Sequence, residues 1–240
     1  MRKNGRKLNE KRKFEILTDY IVNADGSVLS SMGNTRVICT ATIENSVPRF
    51  LKNSNTGWLT AEYAMIPAST NTRKKREIKS GKQDGRGKEI ERIIGRSLRT
   101  AIDFSLLGEY TITIDCDVID ADGGTRTTAI NGAWLATALA LNKLAKETGV
   151  DSFNKVLIHQ IGAISAGIKN NDVYIDLDYE EDSTIDADCN IVINENKNIV
   201  DIQATSEQKS FSNELLNQVI NLSIKSIEEI FVIQKEALDT

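Results

Sequence analysis

One stretch, YTITIDCDVIDADGGTRTTAINGAWLATALALNKLAKETG from Tyr110 to Gly149, restricts the fold more than any other. Its opening, Tyr110–Ile119, is rich in Thr, Ile and Val and reads as a β-strand. The Ala- and Leu-rich run from about Thr127 to Glu147 favours helix, and Gly149 stands near its expected C-terminal stop. Between them lie Gly123, Gly124, Thr125 and Arg126. A strand that turns through glycines into a helix leaves backbone N–H groups unpaired, with about half a positive charge at the helix start. Such a corner admits an oxyanion. The Thr125 hydroxyl adds a donor, and Arg126 adds a permanent, fork-shaped cation suited to phosphate. The alternative is plain helix capping.

The rest of the chain extends this unit into an α+β plan. Lys13–Leu17, Ser27–Ser31, Arg36–Ile43 and Trp58–Met65 are short apolar or alternating runs and predict a mostly antiparallel meander. The polar, basic stretch Ser69–Gly87 predicts a mobile loop. From Gly87, residues Ile90, Ile93, Ile94, Leu98 and Ile102 fall at helical spacing. Past the central helix come strand-like runs at Lys155–Ile168, Asp172–Asp178, Cys189–Ile193 and Ile199–Thr205. A long amphipathic helix to about Ala237 follows, with Ser212 as N-cap and Glu214 in its first turn. Two similar halves in one compact domain, residues 1–240, is the expectation.

Charge is distributed unevenly. The net value is −4, yet Arg73 to Arg99 holds eleven Lys or Arg against four acids. A basic patch on an acidic body steers a polyanion to one face, although a solvated charge run has the same composition. No run approaches the roughly 18 apolar residues of a membrane span, and the charged start is no secretory signal. Cys39, Cys116 and Cys189 are widely spaced within apolar runs, which fits buried thiols in a reducing, cytoplasmic setting.

Several chemistries are excluded by spacing. A Walker loop ending at Gly87–Lys88 would need glycine where Lys82 stands and Ser or Thr where Glu89 stands. GGTRTT lacks the Rossmann glycine spacing. His159, the single histidine, lies in the apolar run Val156–Ile164 and assembles no Ser–His or Cys–His nucleophile. Trp58 and Trp134 read as core. A second arginine-bearing corner, QDGRGKE, sets Arg86 between Gly85 and Gly87 ahead of the other central helix. The stretch Tyr174–Asn190 packs seven carboxylates together. Asp176 and Asp178 are expected on one strand face and Glu180 and Glu181 in a solvated turn, with Asp186 and Asp188 entering the next strand. Carboxylates so crowded are costly unless solvated or bridged by a hard cation such as Mg²⁺ or Mn²⁺, and solvation is the weaker reading for Asp182 and Asp188, which border hydrophobic strands.

Taken together, GSVLSSMGNTRVICTATIE, GWLTAEYAMIPAST, TRKKRE, GKQDGRGKEIERIIGRSLR, TITIDCDVIDADGGTRTTAINGA, DLDYEEDS and DIQATSE form a collinear series over nearly the whole chain. The series resembles the RNase PH family of phosphorolytic exoribonucleases. The resemblance implies two pseudo-related βαβα-type halves of the ribosomal-protein-like kind, assembled as a homohexamer, a trimer of dimers. It implies that inorganic phosphate, as co-substrate, attacks the 3′-terminal phosphodiester of RNA and releases a nucleoside 5′-diphosphate reversibly. The expected substrate is the 3′ end of precursor tRNA, with other structured RNA such as rRNA alongside. By position, Arg86, Gly124, Thr125 and Arg126 match phosphate-binding residues. Asp182 and Asp188 match carboxylates tied to a divalent metal and catalysis, with Arg126 beside them. Arg73, Lys74, Lys75 and Arg76 fall on the loop that guides RNA. The chain departs from the family pattern at Asn4, Lys13, Ala204, Gln208 and Ser210. A non-catalytic RNA-binding ring subunit and a metal-dependent hydrolytic nuclease are the rival readings.

Overall fold

A computed structural model describes residues 2–76 and 84–239. Nine strands and five helices are numbered in chain order: β1 Phe14–Thr18, β2 Gly26–Met32, β3 Thr35–Glu44, β4 Trp58–Met65, α1 Gly85–Arg99, α2 Phe104–Leu107, β5 Thr111–Asp120, α3 Thr125–Thr148, β6 Ile161–Lys169, β7 Asp172–Ile175, α4 Tyr179–Asp182, β8 Ala187–Asn194, β9 Ile199–Ser206 and α5 Asn213–Leu238.

The helix α3 organises the molecule. Sixteen of its 24 residues are buried, so it is apolar around most of its circumference and belongs between layers rather than on a surface. On one side it packs against β2, β3 and β5; on the other it meets β6 and α5. Buried Asn131 fixes the second contact, donating through Nδ2 to Ala163 O (2.9 Å) and accepting from Ala163 N (2.7 Å). Gln234 of α5 donates to Asn131 O and Ile161 O, which closes the polar tie. Each of these buried amides has its partners, so the junction carries no desolvation penalty of an orphaned group.

Two sheets flank this helix. One has the order β1-β2-β3-β5-β4, the other β7-β6-β8-β9. The first three strands are the antiparallel meander the sequence predicts. The fourth is not part of it: β4 pairs parallel to β5 at the far edge, so β4–α1–β5 is a crossover unit. The second sheet is antiparallel throughout. The result is an α+β fold of two sheets with helices packed on each. Its two apolar clusters share the boundary, with Ile161, Ala163 and Val192 of the second sheet in the first core and Phe14 and Met32 of the first sheet in the second core.

Three expected strands are corrected. Asp151–Lys155 is a 3-10 turn, and Val156–Gln160 is a connector with one bridge, Ile102 to Leu157, before β6 begins at Ile161. Of the connector's apolar residues Val156 is buried by packing without strand pairing, Leu157 is half-buried and Ile158 is exposed. The strand β7 stops at Ile175, because Asp176 adopts a left-handed φ of 54° and turns the chain. And β1 begins one residue after Lys13. Of the basic stretch Ser69–Gly87, residues 77–83 lie outside the described residues. Its first part is tied back by hydrogen bonds from Ala121 N to Ser69 O (2.8 Å) and Lys74 N to Pro67 O (2.9 Å).

Candidate active site

The corner between β5 and α3 forms as its sequence predicts, and the turn is heavily supported. Gly123 and Gly124 have φ of 74° and 65°, a region L side chains avoid. A Cβ on Gly123 would lie 2.3 Å from Leu177 O, so this position also lets the turn before α4 approach. The Thr35 hydroxyl donates to Gly123 O (2.6 Å) and accepts from Asp122 N (2.9 Å). Arg12, 9% exposed, donates to Asp122 O and Gly123 O on one side and to Leu177 O and the Asp176 carboxylate on the other. One guanidinium thus clamps the glycine turn to the acidic turn.

What this scaffold presents is an open helix start. Gly124 offers no side-chain cap to α3, and the first intrahelical acceptor is Gly124 O, which receives Thr128 N. The first turn therefore has no side-chain acceptor, and Gly124 and Thr125 line the neighbouring cavity at the positive end of a 24-residue helix. Tyr63, on β4, donates its phenol proton to Thr125 Oγ1 (2.9 Å), leaving the Thr125 hydroxyl free to donate in turn. Burial holds the Tyr63 phenol above its ordinary range, so it stays a neutral donor.

The cavity has a volume of about 320 Å³, and its walls include Lys74, Arg86, Gly124, Thr125, Tyr179 and Asp182. Arg126 stands beside it, half-buried, with Nη1 donating to Gln203 Oε1 on β9 (2.7 Å). Both arginines bear on the same acids. Burial raises Asp182 above the usual carboxylate range, against the pull of Arg86 and then Arg126. Burial likewise raises Asp188, with repulsion from Asp182 second, while Arg126 and Arg86 oppose the shift. Asn190, opposite Gln203 in the β8–β9 register, donates to Asp188. Arg86, Thr125, Arg126, Asp182 and Asp188 therefore come together, although they span more than a hundred residues.

The acidic stretch divides in two, which corrects its sequence reading. Asp176 is not on a strand face shared with Asp178; it is buried and gripped by Arg12 and Arg6. Glu181 is no solvated turn residue. Burial alone would raise it, but Arg2 and the Asp178 backbone N–H outweigh that and hold it below the usual range. Asp178 caps α4 through Glu181 N, Glu180 pairs with Lys3, and Asp186 accepts from Asn170 N with Lys209 nearby. Among the described residues, Asp182 and Asp188 are the two of the seven without an ion pair. Arg2, Arg6 and Arg12 are given no role in the sequence reading because each grips an acid 164 or more residues away.

The remaining expectations resolve unevenly. Lys74 lies on the cavity wall and pairs with Asp84, while Arg73, Lys75 and Arg76 are exposed. His159 precedes β6 and pairs with Glu195 at 2.9 Å, away from the cavity. Trp134 is buried, whereas Trp58 is half-buried under the Arg99 guanidinium. All three cysteines are buried and unpaired. No cluster of three ligating His, Cys, Asp or Glu occurs among the described residues. Nor is any described helix long and apolar enough to cross a membrane. Asn4 turns back to donate to Asp178, Lys13 pairs with Glu15, and Ala204, Gln208 and Ser210 are exposed, so these departures lie outside the cavity.

The described geometry has counterparts in known proteins. The model of the 3′ exoribonuclease family, domain 1, matches residues 10–141, and that of domain 2 matches residues 159–226. Ribonuclease PH of Roseobacter denitrificans is 47% identical over 237 residues, 99% of each chain. Among solved structures, rice (Oryza sativa) Rrp46 aligns with a TM-score of 0.78 at 19% identity over 98% of both chains. A chain of the Archaeoglobus fulgidus exosome with RNA bound to the active site has a TM-score of 0.78 at 21% identity, covering 95% of this chain and 91% of that one. At such identities the two structures speak for the fold alone.

Proposed function

This chain belongs to the RNase PH family of 3′ exoribonucleases, and we propose that its cavity makes it a phosphate-dependent 3′–5′ exoribonuclease that trims precursor tRNA. The supporting observation is the convergence of Arg86 and Arg126 on Asp182 and Asp188 beside an uncapped helix start. Attack of one anion on another is opposed by repulsion. The helix start, Thr125, Arg126 and Arg86 bind and orient inorganic phosphate so that its oxygen lies in line with the leaving 3′ oxygen. A bond forms between that oxygen and the terminal phosphorus as the P–O3′ bond breaks. The released 3′ oxygen takes the proton carried by hydrogen phosphate, and the terminal nucleotide departs as a nucleoside 5′-diphosphate. A nucleophile that is already anionic needs no histidine base. An ester linkage is exchanged for an anhydride, and the step runs in both directions.

Asp182 and Asp188 fit a divalent cation, Mg²⁺ or Mn²⁺: both are raised by burial, the first raises the second, and neither has an ion pair among the described residues. With two carboxylates from the chain, substrate phosphate oxygens and water would complete the shell. Such a cation supplies charge neutralisation at the diester and the leaving oxygen. Exposed Arg73, Lys75 and Arg76 guide the RNA, with Lys74 at the cavity wall. The chain acts as one unit, with both sheets needed to build the site, and assembles as a homohexamer in the cytoplasm.

Incubation with a 3′-extended tRNA, with and without phosphate, tests the reading. Nucleoside diphosphates released only with phosphate are expected. Monophosphates released regardless would make it a hydrolase, and no release would make it a binding subunit.

A further inference from the structure

The phosphate cavity opens into a second hollow of about 710 Å³, and the two share Thr70, Asn71, Ala121 and Tyr179. Their chemistry differs. Lys74, Arg86 and the helix start line the first. Asp120, Asp122 and Glu180 line the second, whose one basic wall residue, Arg36, is paired with Asp120. Phosphate groups are favoured in the first hollow and repelled from the second. An uncharged group with a flat face and hydroxyls suits the second.

Tyr179 stands at the junction. Its side chain is exposed, 56% by area for the residue, and it stacks on no other ring among the described residues. Its backbone is nonetheless fixed, since its N–H donates to Asp122 Oδ1 at 3.2 Å and its carbonyl lies in the turn that Arg2, Arg6 and Arg12 hold. It is the first residue of α4 and Asp182 is the last, three positions on, so both side chains share a face. An exposed ring on an anchored backbone, next to a carboxylate of the cavity wall, has the geometry of a stacking platform.

We propose that Tyr179 stacks the base of the 3′-terminal nucleotide, with the second hollow receiving its nucleoside. This rests on the phosphorolytic reading above. Every base has a π-face, so the platform tolerates sequence, as removal of successive nucleotides requires. The attacking phosphate then sits at Gly124–Arg126, the scissile phosphorus beside Asp182, and the nucleoside along Tyr179.

The reaction run in reverse, extending an oligonucleotide with ADP, isolates the nucleoside contact from the rest of the RNA. Tyr179→Ala is expected to raise the KM for ADP about tenfold, with the KM for phosphate in the forward direction staying within about twofold. Tyr179→Phe, which keeps the ring, restores the ADP value to within about twofold of wild type. An unchanged KM for ADP in Tyr179→Ala overturns the proposal, as does a Phe variant as impaired as Ala or an equal rise in both KM values. The wild type keeps the two readings separate. If it releases nucleotides without phosphate, the phosphorolytic assignment falls; if it is phosphate-dependent, the Tyr179 variants alone decide.

Discussion

Two arginines in glycine-bearing corners lie at the starts of two helices, and the two starts are finished differently. At α1 the corner supplies its own anion: Asp84 accepts from Arg86 N at 3.1 Å and also pairs with Lys74. At α3 the N-cap is Gly124, with no side-chain acceptor. The two guanidinia differ in the same sense. Arg86 is exposed and has no ion pair among the described residues, whereas Arg126 is half-buried and oriented by a neutral amide, Gln203. A neutral acceptor fixes direction without cancelling charge. In the proposed reading the α3 corner is thus the anion receptor, and the α1 corner contributes a cation to its wall. From sequence alone the two look like equivalent anion corners; a single aspartate separates them.

The largest expected effect tests that ranking. Arg126→Ala should lower phosphorolysis about 10³-fold, roughly 4 kcal/mol of transition-state stabilisation, and Arg86→Ala about 10²-fold. RNA affinity by filter binding should persist in both. A reversed order would break the comparison.

Next come the acids that face both corners. Asp182→Asn and Asp188→Asn should each reduce turnover about 10²-fold and remove its dependence on Mg²⁺ concentration. Because burial raises both carboxyls, ionising them costs the folded state. Their contribution favours the fold when they are protonated and is lost as pH rises from the unfolded value, about 3.9, through the raised folded value. At neutral pH the Asn variants should therefore melt higher, by up to a few degrees, while wild-type activity fades on acidification before exposed carboxylates titrate. A lower melting temperature for Asp188→Asn would show that its charge is compensated in the free protein.

A smaller effect concerns RNA capture. Replacing Arg73, Lys75 and Arg76 by alanine should weaken RNA binding at low salt and flatten the log–log salt slope by about 2. An unchanged slope would remove these three from the RNA path. The smallest effect is at the capped corner itself. Asp84→Ala should cost about 1 kcal/mol of stability and change the KM for phosphate less than threefold, because that helix start is not the receptor. A tenfold change would make the two corners equals.

The strand–glycine–helix unit was legible because all its signals are local. Thr and Ile mark β5, the double glycine marks the turn, and Ala-rich sequence marks α3, whose observed bounds fall within two residues of the expected ones. The α+β class followed from the same patterns. Pairing direction did not: β4 carries the alternation of a meander strand, but its parallel match to β5 is decided by the path of α1. Val156–Gln160 misled because an apolar run need not pair as a strand: Val156 is buried by packing, while Ile158 is exposed. The acidic stretch was half-readable. Asp182 and Asp188 could be chosen by their place beside hydrophobic strands, but the roles of Asp176 and Glu181 depend on Arg12 and Arg2 at the other end of the chain. Gln203 carries no local signal at all.

Titration of inorganic phosphate into the protein without RNA, followed calorimetrically, tests most directly whether the α3 corner is the receptor. One site per chain is expected, weakened at least tenfold by Arg126→Ala and left within threefold of wild type by Asp84→Ala. Phosphate binding that is indifferent to Arg126→Ala, or lost on Asp84→Ala instead, would contradict it.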